Sequence, residues 1–267
     1  MHPQIAAFAR LAKENAVPTR KLEGQLTRLG RTMHDIAYDP IHDEIVVGSP
    51  FGQAVLVFRG GAFGEEPPIR IIQGPRTQIV SATNGVDRVA IDPVNNEILV
   101  GSRLHRILVF AREANGDAEP IRVLGGPNSE IGTNPPIRVD PVNNLLLVSG
   151  QGGILVFDRT ASGNAKPRAV LSGAGPTGGS AQFEVYNGMI IAPRGDNIYA
   201  WSLRDTGDVR PLWKIPAPLG PRANQLGIVL DAPHKEVLVA TGEGNQIRVF
   251  SVPEIFDGVS TDRSERR

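Results

Sequence analysis

Three stretches of this chain are copies of one another, and that repetition constrains the fold more than any other feature. The first runs Asp35-Ile-Ala-Tyr-Asp-Pro-Ile-His-Asp-Glu-Ile-Val-Val-Gly48, then Val55-Leu-Val-Phe58, then Pro68-Ile-Arg-Ile-Ile-Gln-Gly74. The second runs Arg88-Val-Ala-Ile-Asp-Pro-Val-Asn-Asn-Glu-Ile-Leu-Val-Gly101, Ile107-Leu-Val-Phe110 and Pro120-Ile-Arg-Val-Leu-Gly-Gly126. The third runs Ile137-Arg-Val-Asp-Pro-Val-Asn-Asn-Leu-Leu-Leu-Val148, Ile154-Leu-Val-Phe157 and Pro167-Arg-Ala-Val-Leu-Ser-Gly173. Two divergent copies follow, one from Phe183 to Trp213 and one from Gly227 to Phe250. The turn position recurs at Asp39, Asp92, Asp140, Asn187 and Asp231, with gaps of 53, 48, 47 and 44 residues.

Each copy holds up to four short runs rich in β-branched residues, separated by Pro, Asn, Asp and Gly. Four strands per unit at this period is the pattern of a propeller blade, and no stretch shows the 3.6-residue period of a helical solenoid. The expectation is an all-β chain forming a single five-bladed β-propeller of four-stranded blades. Asp-Pro-Val-Asn-Asn supplies the turn between the first two strands, because Asp caps a turn through its side chain and Pro fixes φ. The cluster Asp92, Asn95, Asn96 and Glu97 also has the composition of a calcium loop, but it recurs where a hairpin is needed, which favours the turn. The fourth strand opens with Pro followed by a basic residue, as suits an outer edge.

The fifth copy ends after its third strand. Pro18-Thr-Arg-Lys-Leu-Glu-Gly24 matches Pro120–Gly126 in pattern. The expectation is therefore that residues 18–252 form the propeller, with the strand near Pro18 pairing with the strand near Phe250 and closing the ring. Residues 1–17 form an extension in which Ala6-Ala-Phe-Ala-Arg-Leu-Ala-Lys-Glu-Asn15 predicts a short helix. Ile5-Ala-Ala-Phe8 fits that scheme badly, since it resembles the third-strand run Ile107–Phe110. Residues 253–267 read as a polar tail.

The copies resemble the bacterial propeller repeats of the NHL, YncE-like and virginiamycin B lyase-like superfamily, on the Asp-Pro-x-Asn-Asn-Glu-Ile-x-Val and Ile-x-Val-Phe segments. Those segments are blade scaffolding. The resemblance implies the fold, and a superfamily holding lyases, lactonases and hydrolases beside non-catalytic interaction modules, so it leaves activity open. Its lyases and lactonases use inward-facing His, Glu or Asp clusters, often with a divalent metal, and no such motif matches here.

In a propeller the interblade loops and the loops between strands two and three share one face, where ligands usually bind. Here that face is expected to gather Arg31, His34, Asp35, Arg76, Asp87, Arg103, His105, Arg106, Glu130, Arg194 and Arg222. Several arginines suit a carboxylate, a phosphate or an acidic peptide. His34 and His105, one in each of two successive copies, are the alternative metal pair, with Asp35 or Asp87 to orient one of them. No HExxH, GxSxG or Walker-type loop occurs. Trp213, on an outer strand, is a candidate protein contact.

Lys plus Arg and Asp plus Glu both number 28, so no global charge draws in nucleic acid or an anionic membrane. Aromatics are 5% of the chain and fall mostly at blade core positions, which offers no stacking platform for bases. With no cysteine there is no thiolate chemistry. No apolar run is long enough for membrane insertion. Met1-His2-Pro3-Gln4 does not read as a signal peptide; export would imply a leader already removed, and the cytoplasm is the other expectation.

The preferred reading is a non-catalytic binding or scaffolding propeller with a protein partner or small ligand and no cofactor. The alternative is a metal-assisted lyase, lactonase or hydrolase with its site at the channel mouth.

Overall fold

The structure, a computed structural model, describes residues 3–31, 33, 35–79, 86–133, 135–173, 182–219, 227–241 and 246–257. The fold is an all-β propeller fold in which each of the five sequence copies is an antiparallel meander. The chain divides into two compact units, Met1–Leu124 and Gly125–Arg267.

The first unit begins with a hairpin of β1 (Gln4–Ala7) and β2 (Arg20–Glu23). A four-stranded meander follows: β3 (Ile36–Asp39), β4 (Glu44–Ser49), β5 (Ala54–Arg59) and β6 (Arg70–Gln73). The next is β7 (Val86–Asp92), β8 (Glu97–Ser102), β9 (Arg106–Ala111) and β10 (Arg122–Gly125).

The second unit holds β11 (Ile137–Asp140), β12 (Leu145–Ser149), β13 (Ile154–Asp158) and β14 (Ala169–Leu171), then β15 (Glu184–Tyr186), β16 (Met189–Arg194), β17 (Asn197–Ser202) and β18 (Trp213–Pro216). The fifth meander has three strands, β19 (Ile228–Asp231), β20 (Glu236–Thr241) and β21 (Gln246–Ser251), and a short helix α1 (Pro253–Asp257) follows it.

Two expectations about the N-terminal segment change. Residues 4–7 form a strand where a helix was expected, and β2 has β1 as its hydrogen-bonded neighbour, with Ile5 opposite Leu22 and Ala7 opposite Arg20. The cause is visible in a gapless register: Ile5 to Leu29 matches Val55 to Ile79 and Ile107 to Ile131 residue for residue. Ala12 N donates to Ala9 O at 2.9 Å, as Ala62 N does to Arg59 O and Ala114 N to Ala111 O. Local hairpin pairing outweighs the helix propensity of the alanines, which is a weak preference per residue.

The first-hairpin turns confirm their sequence reading. Asp39 Oδ1 accepts from the backbone N–H of Ile41 (2.8 Å) and His42 (2.9 Å), and its Oδ2 lies 2.7 Å from His42 Nδ1. Asp92 receives Asn95 N and Nδ2, and Asp140 receives Val142 N, Asn143 N and Asn143 Nδ2. The carboxylates are thus used as turn caps rather than as an open calcium loop. Burial alone would push the Asp39 carboxyl up, but the hydrogen bonds from His42 and Ile41 outweigh it and hold it below the ordinary aspartate range.

Both faces of a meander are apolar. In the first unit Val55 and Val57 of β5 join Ile98, Leu108 and Phe110 of the following meander, whereas Leu56 and Phe58 join Leu22 and Leu29 of the preceding hairpin. Within this unit, successive sheets therefore stack with the Phe-bearing face of the later one on the Val-bearing face of the earlier one. In the second unit Ile198 and Ala200 pack in the same way against Val237, Val239 and Phe250.

Candidate functional site

Backbone geometry at the connections decides which side chains are free to meet a ligand. The turns between strands one and two and between strands three and four sit at one end of each meander, the turn end. The remaining connections form its loop end.

At the turn end a left-handed residue occupies the turn of the N-terminal hairpin, Glu14 (φ 53°), and the strand 3–4 turn of each of the first four copies: Gly64 (60°), Gly116 (65°), Gly163 (58°) and Gly207 (75°). Glycine is favoured there because it adopts positive φ without a Cβ clash. Its backbone fastens the outer strand of the preceding sheet. Gly64 N donates to Lys21 O at 2.8 Å and Glu23 N donates to Gly64 O at 2.9 Å. Gly116 makes the same pair with Ile71 and Gln73, at 2.7 and 2.9 Å. In the second unit Gly207 does so with Val170 and Ser172, at 2.7 and 3.0 Å.

The acidic or amide residue after each glycine reaches the tight turn that follows that outer strand. Asp117 Oδ1 accepts from Arg76 N at 2.7 Å, and Asn164 Oδ1 accepts from Asn128 N at 2.8 Å.

Much of the expected ligand face is engaged in the same kind of fastening. Arg76, exposed, donates through Nε to Glu119 Oε1 at 3.0 Å. Asp35 accepts from Ile36 N at 3.1 Å and from Val89 N of the next meander at 3.3 Å. Arg106 donates to Gln78 O at 3.2 Å and Gln78 Oε1 at 3.4 Å, pinning the connection that precedes its own sheet. Arg194 Nη1 donates to Gly173 O at 3.1 Å.

Arg31, His105 and Glu130 are exposed, with His105 and Glu130 in left-handed backbone, and Arg103 is half-buried. His34 and Arg222 lie outside the described residues, as does the side chain of Asp87, so the His34–His105 pair falls outside them too. Trp213 is half-buried against the cluster of Met189, Ile191, Ile198 and Ala200, which removes most of its ring from the rim it was expected to mark. Among the described residues no group of three or more His, Cys, Asp or Glu side chains is placed to hold a metal ion.

A groove of about 400 Å³ beside the N-terminal hairpin is lined by Pro3, Glu23, Gly24, Gln25 and Leu29.

What sequence reasoning missed lies at the turn end. Ile41 and Val94 hold the position after the turn proline in the two meanders of the first unit, and each is 60% exposed. Val142 holds it in the second unit and is also exposed. The Asp-Pro-Ile and Asp-Pro-Val triplets carried this signal, but they were read only as turn chemistry. Buried beneath this end, Glu44 accepts from Arg70 Nη2 at 2.6 Å and from Arg112 Nη1 at 2.9 Å, and Glu97 takes both terminal nitrogens of Arg122 at 2.7 Å. In comparisons with known proteins, no family model and no curated protein matches the chain.

Proposed function

We propose that the protein is a non-catalytic binding or scaffolding β-propeller, of the NHL, YncE-like and virginiamycin B lyase-like kind, whose turn end contacts a protein partner. The observation that carries this reading is the outward placement of Ile41 and Val94 at one repeated position, each 60% exposed, on turns whose backbones are tightly held. An aliphatic side chain held in water on a rigid turn gains free energy when a partner covers it. The polar groups of the loop end, by contrast, are largely occupied within the fold, and a catalytic role would need them free to change partners.

The test is affinity capture with the wild-type chain and with an Ile41→Glu/Val94→Glu variant, followed by a binding titration of whatever protein is retained. A partner that saturates the wild type and is lost by the variant supports the reading. A partner bound equally by both, or metal-dependent turnover of a small substrate with no protein partner, overturns it.

A further inference from the structure

The N-terminal hairpin is half of a sheet. By the residue-for-residue match of Ile5–Leu29 to Ile107–Ile131, β1 holds the place of a third strand and β2 that of a fourth. In the complete sheets the third strand lies between the second and the fourth, whereas among the described residues β1 pairs with β2 alone. Ala7 O accepts from Thr19 N at 2.8 Å, so the Ala7 backbone faces β2. Alternation along the strand then turns the N–H and C=O of Ala6 toward the opposite edge, where the second strand of a complete sheet runs. Arg20 repeats the deficiency on the fourth strand. Its counterparts Arg70 and Arg122 each hold the glutamate that opens the second strand of their own sheet, Glu44 at 2.6 Å and Glu97 at 2.7 Å. Arg20 is half-buried and holds no carboxylate among the described residues.

From the open edge and the unmatched Arg20 we infer that the hairpin takes up an extended segment of another protein, antiparallel to β1, in the place of a second strand. The complete sheets set the chemistry of that segment. In β8, Glu97 meets Arg122, Ile98 lies opposite Phe110 and Val100 opposite Leu108. The same register on β1 brings an acidic residue within reach of Arg20, an aliphatic residue opposite the exposed Phe8 and a second aliphatic opposite Ala6. Main-chain hydrogen bonds at Ala6 and the new ion pair supply affinity, and the alternating side chains supply selectivity. The occupant is foreign to this chain, because each of its second-strand runs, β4, β8, β12, β16 and β20, already has a strand on either side. A second copy carries the same five and has none to spare. This surface is separate from Ile41 and Val94, so the inference does not rest on the turn-end reading.

Fluorescence anisotropy with the full chain tests it, the probe being a labelled synthetic peptide with the sequence of Arg88 to Ser102, a first strand, its turn and a second strand. Wild type is expected to bind it saturably, and Arg20→Glu about tenfold more weakly, as the loss of a charge-assisted hydrogen bond requires. A peptide carrying Glu97→Arg is expected to regain affinity for Arg20→Glu, a recovery that a merely misfolded variant would not give. Ala6→Pro removes the N–H at the open edge and is expected to weaken binding while leaving Arg20 in place. Hydrogen exchange of the Ala6 amide is expected to slow when the peptide is added. A peptide bound no better than its scrambled sequence, equal binding by all three chains, or no recovery with the Glu97→Arg peptide would each overturn the inference. So would protection of the Ala6 amide that rises with chain concentration in the absence of peptide, which would make a second copy the occupant.

Discussion

Glu44 and Arg112 are separated by 68 positions in the chain, yet the Arg112 Nη1 donates to Glu44 Oε1 at 2.9 Å and so ties one meander to the next. Arg70 reaches the other carboxylate oxygen; Glu44 is buried and the two arginines are half-buried. Removing the shared anion leaves the Arg70 guanidinium without its counter-charge in a poorly solvated place, and leaves Arg112 with only the exposed Glu113 as its anion. Glu44→Gln is therefore expected to lower the unfolding free energy by about 3 kcal/mol, the range for breaking a buried pair from one side. Urea titrations of the variant and wild type check it, with an unchanged m-value showing that the same structure unfolds.

The left-handed turn residues give a paired prediction of opposite sign. Gly116 has open space around its missing Cβ, so Gly116→Ala meets no clash and is expected to cost only the conformational penalty, about 1–2 kcal/mol. Glu14 already bears that penalty at φ 53°, and Glu14→Gly is expected to stabilise the hairpin by up to about 1 kcal/mol. Hydrogen exchange of the Ile5 and Ala7 amides reads the second effect locally, as slower exchange in the variant.

Gly74 differs from Gly116 although both sit at positive φ. A Cβ there would stand 2.4 Å from Asp117 Oδ1 and would expel the cap from the Arg76 amide. Gly74→Ala is expected to lose more than Gly116→Ala, by about 1 kcal/mol for the displaced hydrogen bond. Combining Gly74→Ala with Asp117→Ala is expected to cost less than the sum of the two, and a double-mutant cycle measures the difference.

Acid should weaken the first hairpin turn selectively. The folded Asp39 carboxyl is held below its ordinary value by His42 and Ile41, so the folded state binds its proton less readily than the unfolded state. Its contribution is complete above the unfolded value of about 4 and is lost as pH falls through the lower folded value. Wild type is expected to melt higher than Asp39→Asn at pH 7, and the gap is expected to narrow toward pH 3.

The strands and first-hairpin turns were legible because both follow from local chemistry: β-branched runs make strands, and an Asp side chain caps the turn it begins. The N-terminal hairpin was misread because alanine speaks for helix over a short window, while the evidence for a strand lay in a match to residues a hundred positions away. The match of Ile5-Ala-Ala-Phe8 to Ile107–Phe110 was visible, and extending it to Leu29 identifies the hairpin. The candidate site was harder. Arg76 and Arg106 look the same in sequence whether they bind a ligand or a neighbouring loop, and their partners Glu119 and Gln78 are 43 and 28 residues distant. The apolar turn residues Ile41 and Val94 were overlooked because a hydrophobic residue beside proline carries no sign of which way it points.

The turn fasteners also explain why the copies can differ in length. Within each unit the backbone bonds of Gly64, Gly116 and Gly207 that lock a sheet to its predecessor fall inside a stretch of fixed length, from the end of the third strand to the tight turn after the fourth. Insertions of several residues elsewhere leave that stretch untouched. A lineage can therefore lengthen or remodel the loops that vary the spacing between copies while the mechanical coupling from sheet to sheet is inherited unchanged.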